Sequence, residues 1–259
     1  MTQYLIGFLV VIFFAGLIFV LSLLARQKGA KPLGLRQIDA YESLPATVGA
    51  AVETGRRIHI SVGAGAIGEV STPATLTGLS VLDQIASVAA ISDKPPIVTT
   101  ADGVAMLLAQ DILRGVYKRQ NAPEEYDGLA AQVVGLSPLG YGAALTGVIP
   151  DDSVAGTVLM GSVGQEAVLM TEAGQRAKTP TVAGSDQPAA QALLFATADH
   201  PLVGEDLFAG NAYINRRPEH LASLRAQDWM RLLIGGGIVL VVLYQTAKAL
   251  LASLGVALP

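Results

Sequence analysis

The 259-residue chain has no cysteine, one tryptophan and three histidines, and only 15% of its residues are charged. Without cysteine there is no disulfide, no thiolate nucleophile and no zinc–cysteine site, which fits a reducing compartment. His59, His200 and His220 do not show metal-ligand spacing, so no metal site is expected. Seventeen basic residues face 21 acidic ones, giving a net charge of −4 and no polybasic field to neutralise phosphates. Nucleic acid is therefore not an expected partner. No nucleophile, base and orienting group fall into a recognisable pattern, so no catalytic residue and no cofactor is expected.

Long apolar runs are missing from the middle of the chain and confined to its ends, Tyr4–Leu24 and Leu232–Ala247. The first holds about 21 residues without a charge, enough to cross a ~30 Å hydrocarbon core. It does not read as a cleaved signal: no basic region precedes it, and Leu23 occupies the −3 position of any cut after Ala25. Arg26, Lys28, Lys31 and Arg36 follow the first run, and Arg216, Arg217, Arg225 and Arg231 precede the second. The positive-inside rule then puts both termini outside a plasma membrane and the middle domain in the cytoplasm. The expected divisions are a first span over 1–25, a basic linker over 26–37, an α/β domain over 38–217, a lead-in helix over 218–231, and a second span with apolar tail over 232–259.

Within the middle domain, β-type runs at Arg57–Val62, Pro96–Thr99, Gln132–Leu136, Gly156–Met160 and Pro180–Ala183 alternate with helical patterns. The clearest helix is Gly103–Arg119, capped by Asp102, with Val104, Leu107, Leu108, Ile112 and Val116 as its apolar stripe and Lys118 and Arg119 at its end. Weaker helical patterns cover Ile38–Thr54, Ala74–Ala90, Gln165–Ala173 and Gln187–Ala196. Thr72-Pro73 and Ser137-Pro138 read as a cap followed by proline at the first helical position. Alternating strands and helices imply an α/β fold, a Rossmann-like, open, mostly parallel sheet. Lys94-Pro95-Pro96-Ile97-Val98 with Asp102 recurs as Lys178-Thr179-Pro180-Thr181-Val182 with Asp186, and Ser61-Val62-Gly63 recurs as Ser162-Val163-Gly164. The offsets differ, so two duplicated βαβ halves would place an insertion containing Thr72–Leu82 in the first. Such a sheet has a topological switch point where ligands bind.

Two glycine-rich loops are the candidate ligand sites. Gly63-x-Gly65-x-x-Gly68 follows a strand as a dinucleotide motif does, but Glu69 brings a carboxylate to the anion position and the next helix starts late. A glycine-rich turn for close packing is the alternative. In Gly161-Ser162-Val163-Gly164-Gln165-Glu166, Ser162 and free N–H groups could hold a small anion. The alternative there is a serine cap, with Glu166 countering the helix dipole. The candidate ligand-binding residues are Gly63, Gly65, Ser162 and Gly164. Toward the C-terminus, Pro218 opens a helix running into the apolar stretch and Trp229 suits a membrane interface. Gly235, Gly236 and Gly237 offer a smooth patch for close packing near Ala15 and Gly16, within one hairpin or between neighbours.

Gly161–Glu166, Glu172-Ala173-Gly174, Val203–Ala209 and Ala226-Gln227-Asp228, in this order before a closing span, resemble an uncharacterised family of prokaryotic membrane-anchored domains. The resemblance implies the architecture and carries no activity. The small-residue-rich domain and its two anchors lead to the first functional expectation, a scaffold or assembly subunit that forms a homo-oligomer or joins a membrane-protein complex. A small-molecule or anion-binding sensory domain using the glycine-rich loops comes second, and a membrane-bound enzyme third.

Overall fold

The computed structural model describes residues 2–25, 35–90, 94–151, 154–214 and 218–253. The chain divides into two compact units, Leu35–Asn215 and the two ends of the chain. Of the basic residues used to orient the chain, Arg26, Lys28, Lys31, Arg216 and Arg217 lie outside the described residues, as does the tail over 254–259.

In the terminal unit, α1 (Thr2–Ala25) and α9 (Pro218–Ser253) pack on one another. The second is a single 36-residue helix, so the lead-in segment and the apolar stretch are continuous. Its Glu219–Lys248 portion is long and apolar enough to cross a membrane, with a mean hydropathy of 1.6, whereas the apolar segment of α1, Gly7–Leu23, is shorter.

The larger unit is α/β. Its elements run α2 (Asp39–Glu53), β1 (Arg57–Gly63), α3 (Thr72–Ala89), β2 (Ile97–Thr100), α4 (Gly103–Arg119), β3 (Ala131–Val133), α5 (Pro138–Asp151), β4 (Val154–Ser162), α6 (Ala167–Ala177), β5 (Thr181–Ser185), α7 (Pro188–Thr197), β6 (His200–Leu202) and α8 (Gly210–Ile214). The six strands described form one sheet in the order β3-β2-β1-β4-β5-β6, every neighbouring pair parallel. This is the doubly wound order. The chain builds outward from β1 to β3, then returns to the centre and builds from β4 to β6, so the order reverses between β1 and β4. The two halves repeat the same connectivity, and the first has the longer loop and the longer helix after its inner strand.

Strands buried on both faces need continuous apolar or small residues, and all of β1 beyond Arg57 is buried. Helices α2, α4 and α8 each pack against α3, while α6 packs between α5 and α7, which gives the two covering layers. Ser137 Oγ accepts the Gly140 N–H at 3.1 Å at the head of α5, and Asp102 Oδ1 accepts the Ala105 N–H at 2.8 Å at the head of α4. The cap of α3 sits one residue earlier than its sequence suggests, at Ser71, with Thr72 already helical.

Two expectations are corrected. The buried face of α4 is Ala105, Ala109, Leu113, Val116 and Tyr117, while Val104, Leu107 and Leu108 are 49%, 60% and 37% exposed. Small alanines let the helix lie close to the sheet, and the packed face is turned about one residue from the most apolar one. Strand β3 ends at Val133 rather than Leu136 because Gly135, at φ 84°, turns the chain out of the sheet and leaves Leu136 exposed.

Candidate functional site

The carboxyl ends of the two central strands carry the two glycine-rich loops, and the sheet order brings them together. Gly63 pairs with Ser162 across the switch point, and the Ala64 N–H donates to the Ser162 carbonyl at 2.8 Å. Between them opens a cleft of about 720 Å³, bounded by Gly65, Glu69 and Ser71 of the first loop, Ser162, Gly164 and Glu166 of the second, and Asp186 and Gln187 after β5.

The glycines are taken up by backbone packing. A Cβ on Gly63 would lie 2.6 Å from the Ser162 carbonyl oxygen, and one on Gly65 would lie 2.7 Å from both Ser162 Cβ and Thr75 Oγ1. A Cβ on Gly161 would overlap the Val62 carbonyl, and one on Gly78 of α3 would overlap the Met160 carbonyl. The motif therefore draws the first loop and α3 against β4. Hydroxyls then fix the loop: Ser71 Oγ donates to the Ala66 carbonyl at 3.1 Å, Thr72 Oγ1 to that of Glu69 at 2.7 Å, and Thr75 Oγ1 to that of Gly65 at 3.0 Å.

The second loop satisfies its own helix end. Glu166 Oε1 accepts the Gly164 N–H at 2.7 Å, so a carboxylate of the chain occupies the place where an anion would bind. Ser162 ends the strand and is buried, and its Oγ accepts only a long 3.4 Å bond from the Gln187 amide among the bonds described. Asp186 Oδ1 is shielded from solvent and accepts no hydrogen bond from the described residues. Carboxylates, hydroxyls and an amide line the cleft, with no lysine, arginine or histidine among its described lining residues.

Beneath the cleft, on the α5 side of the sheet, lies a buried polar cluster. Tyr141 of α5 shares a 2.6 Å hydrogen bond with Ser61 and donates to the Thr99 carbonyl at 3.2 Å, and His59 Nε2 bonds Thr99 Oγ1 at 2.9 Å. Burial pushes the Tyr141 hydroxyl up to about 12 and the His59 imidazole down to about 4, because each loses the water that would solvate its charged form. His59 Nδ1 and Thr157 Oγ1, on paired positions of β1 and β4, have no partner.

A family model described as "Domain of unknown function (DUF6754)" matches residues 2–254. The chain belongs to that family. Comparison with curated proteins and with solved structures returns no match.

Of the residues that sequence reasoning singled out in this family member, Gly65, Ser162 and Gly164 line one cleft, and Gly63 packs against the Ser162 backbone without lining it. Gly16, Gly235, Gly236 and Gly237 do not meet: a Cβ added at any of them has nothing within 4 Å among the described residues. In α9 the fully buried positions are instead Ala222 and Ala226, nearer its start, and Trp229 is 56% exposed. Within the chain the glycine patch is therefore open and makes no close approach to another described residue. Asp186 and Gln187 were missed as cleft residues. Their signal was the recurrence of an aspartate after a Lys-x-Pro strand, legible only as a repeat until the sheet order placed β5 beside β4.

Proposed function

We propose that the chain is a membrane-anchored binding protein whose cleft between the β1 and β4 loops takes a small ligand rich in hydrogen-bond donors, an amine, a guanidinium compound or a polyhydroxyl molecule. The observation that carries this reading is Asp186 Oδ1, shielded and unpaired at the wall of a 720 Å³ cleft at the topological switch point. A nucleotide is disfavoured by charge. At ~6 Å and an effective dielectric of ~20, each phosphate–carboxylate pair costs about 3 kcal/mol, and Glu166 and Asp186 both line the cleft. The same arithmetic favours a cation. Both apolar ends act as spans in this reading, the termini lie outside a prokaryotic plasma membrane, and the domain is cytoplasmic.

The test is thermal stability of the full chain in nanodiscs, titrated with spermidine, arginine, trehalose, NAD and ATP. Saturable stabilisation by one of the first three, lost in Asp186→Ala, is expected. Saturable NAD or ATP binding that disappears in Gly65→Val overturns the charge argument. Orientation is read by placing a cysteine at Ala122 of this cysteine-free chain; labelling by an impermeant thiol reagent in intact cells puts the domain on the other side.

A second reading, a scaffold or assembly subunit, draws on the outward Val104, Leu107 and Leu108 of α4 and on the open glycine patch of α9. Apolar side chains exposed together on a helix face are a common mark of protein contact. Light scattering that reports only monomer in several detergents and nanodiscs removes it.

A further inference from the structure

The chain enters and leaves the α/β unit at one corner, and that corner is clasped. One guanidinium nitrogen of Arg36 donates to both carboxylate oxygens of Asp206 at 2.6 and 2.7 Å. Tyr41, at the start of α2, donates to the Asp206 carbonyl at 2.6 Å, and Tyr213 of α8 donates to the Arg36 carbonyl at 2.7 Å. The two tyrosine rings stack with centroids 5.0 Å apart. The 3-10 turn Gly204–Ala209 holds Asp206 and so forms the exit side of the clasp.

The same turn is bonded to the cleft. The Gly204 N–H donates to Gln191 Oε1 at 3.0 Å, and Gln191 Nε2 donates to the Ser185 carbonyl at 2.9 Å. Ser185, fully buried at the end of β5, donates through Oγ to the Val163 carbonyl at 2.7 Å and accepts the Gln187 N–H at 3.1 Å. The turn also packs against β5, where Leu207 fills the space beside Gly184 that a side chain there would need. Clasp and cleft wall are therefore joined by the backbone of the turn and by the side chains of partly buried Gln191 and buried Ser185.

We propose that the Gly204–Ala209 turn is a coupling element, so that the geometry of the cleft loops and the closure of the Arg36–Asp206 clasp change together. Its meaning as regulation rests on the ligand-binding reading: an occupant that draws Ser162, Asp186 and Gln187 inward would shift Ser185, then Gln191, then the turn to which the entering segment at Arg36 is tied. Arg36 and Tyr213 lie near the two ends of the described residues of the α/β unit, so the clasp ties its entry to its exit.

The test needs no ligand. Hydrogen exchange of the full chain in nanodiscs is measured for Asp206→Ala, for Gln191→Met and for the double variant. Asp206→Ala is expected to speed exchange about fivefold at the amides of Val163–Glu166 and Asp186–Gln187, with β2 and β3 unchanged, and this remote effect should vanish in the Gln191→Met background. Changes confined to 36–41 and 204–214, or an equal remote effect with Gln191→Met present, overturn the proposal. If Asp206→Ala fails to fold, Arg36→Ala, at a side chain 71% exposed, opens the same clasp. Failure here leaves the ligand screen untouched, and failure of the screen leaves this coupling standing.

Discussion

Acidification should destabilise the α/β unit through one residue, His59. The imidazole is fully buried in β1, with Nε2 on Thr99 Oγ1 and Nδ1 bare. Protonation would put an N–H on both ring nitrogens, leaving that at Nδ1 without an acceptor among the described residues and the charge desolvated. Burial accordingly holds the folded-state value at about 4, below the ordinary 6.5. As the pH falls, the unfolded chain takes the proton first, so the stability contributed by neutral His59 is complete above pH 6.5. It is lost progressively toward pH 4 and is flat below that. At about 1.4 kcal/mol per pH unit, the loss amounts to about 3 kcal/mol. The lone tryptophan, Trp229, belongs to α9, so its fluorescence does not report on this unit. Native-state hydrogen exchange at Ile58–Val62 does, and the comparison is with His59→Phe, which removes the titration. The wild-type opening free energy should fall between pH 7 and pH 4 by about 3 kcal/mol more than that of the variant. Parallel profiles for the two proteins would refute the assignment of acid sensitivity to this side chain.

Gly78→Ala forces a methyl group into the Met160 carbonyl, a backbone atom that cannot rotate away, and should cost about 2–4 kcal/mol in chemical denaturation or prevent folding. Gly147→Ala, on α5 with nothing within 4 Å, should be neutral or stabilise by up to about 1 kcal/mol, and equal losses at the two sites would contradict the packing account. Gly236→Leu meets open space within the chain, so the hairpin should keep its helicity by circular dichroism while any oligomer in mild detergent dissociates. An oligomer unchanged by this leucine shows that the patch is not a contact between copies.

The covalent order of apolar, polar and glycine residues was sufficient for the local features. Asp102 and Ser137 mark helix starts because a short oxygen-bearing side chain next to a helical pattern can satisfy free N–H groups wherever the chain goes. Each of the five strand segments legible in the sequence overlaps a strand of the sheet, and the central ones do so because a run buried on both faces has to be continuously apolar or small. What needed the third dimension was the partnership of distant residues. Gly65 and Ser162 are neighbours only because β4 returns to the centre of the sheet, and no local pattern records that return. The buried face of α4 follows from how closely Ala105 and Ala109 let the helix approach the sheet, and this outweighs the larger apolar moment of Leu107 and Leu108. β6, three residues long with a proline inside, carries too little pattern to be read as a strand and exists through its pairing with β5. Asp186 became a site residue for the same reason: an aspartate after a strand is a common helix cap in sequence, and what distinguishes it from one is that Oδ1 has no hydrogen-bond partner among the described residues.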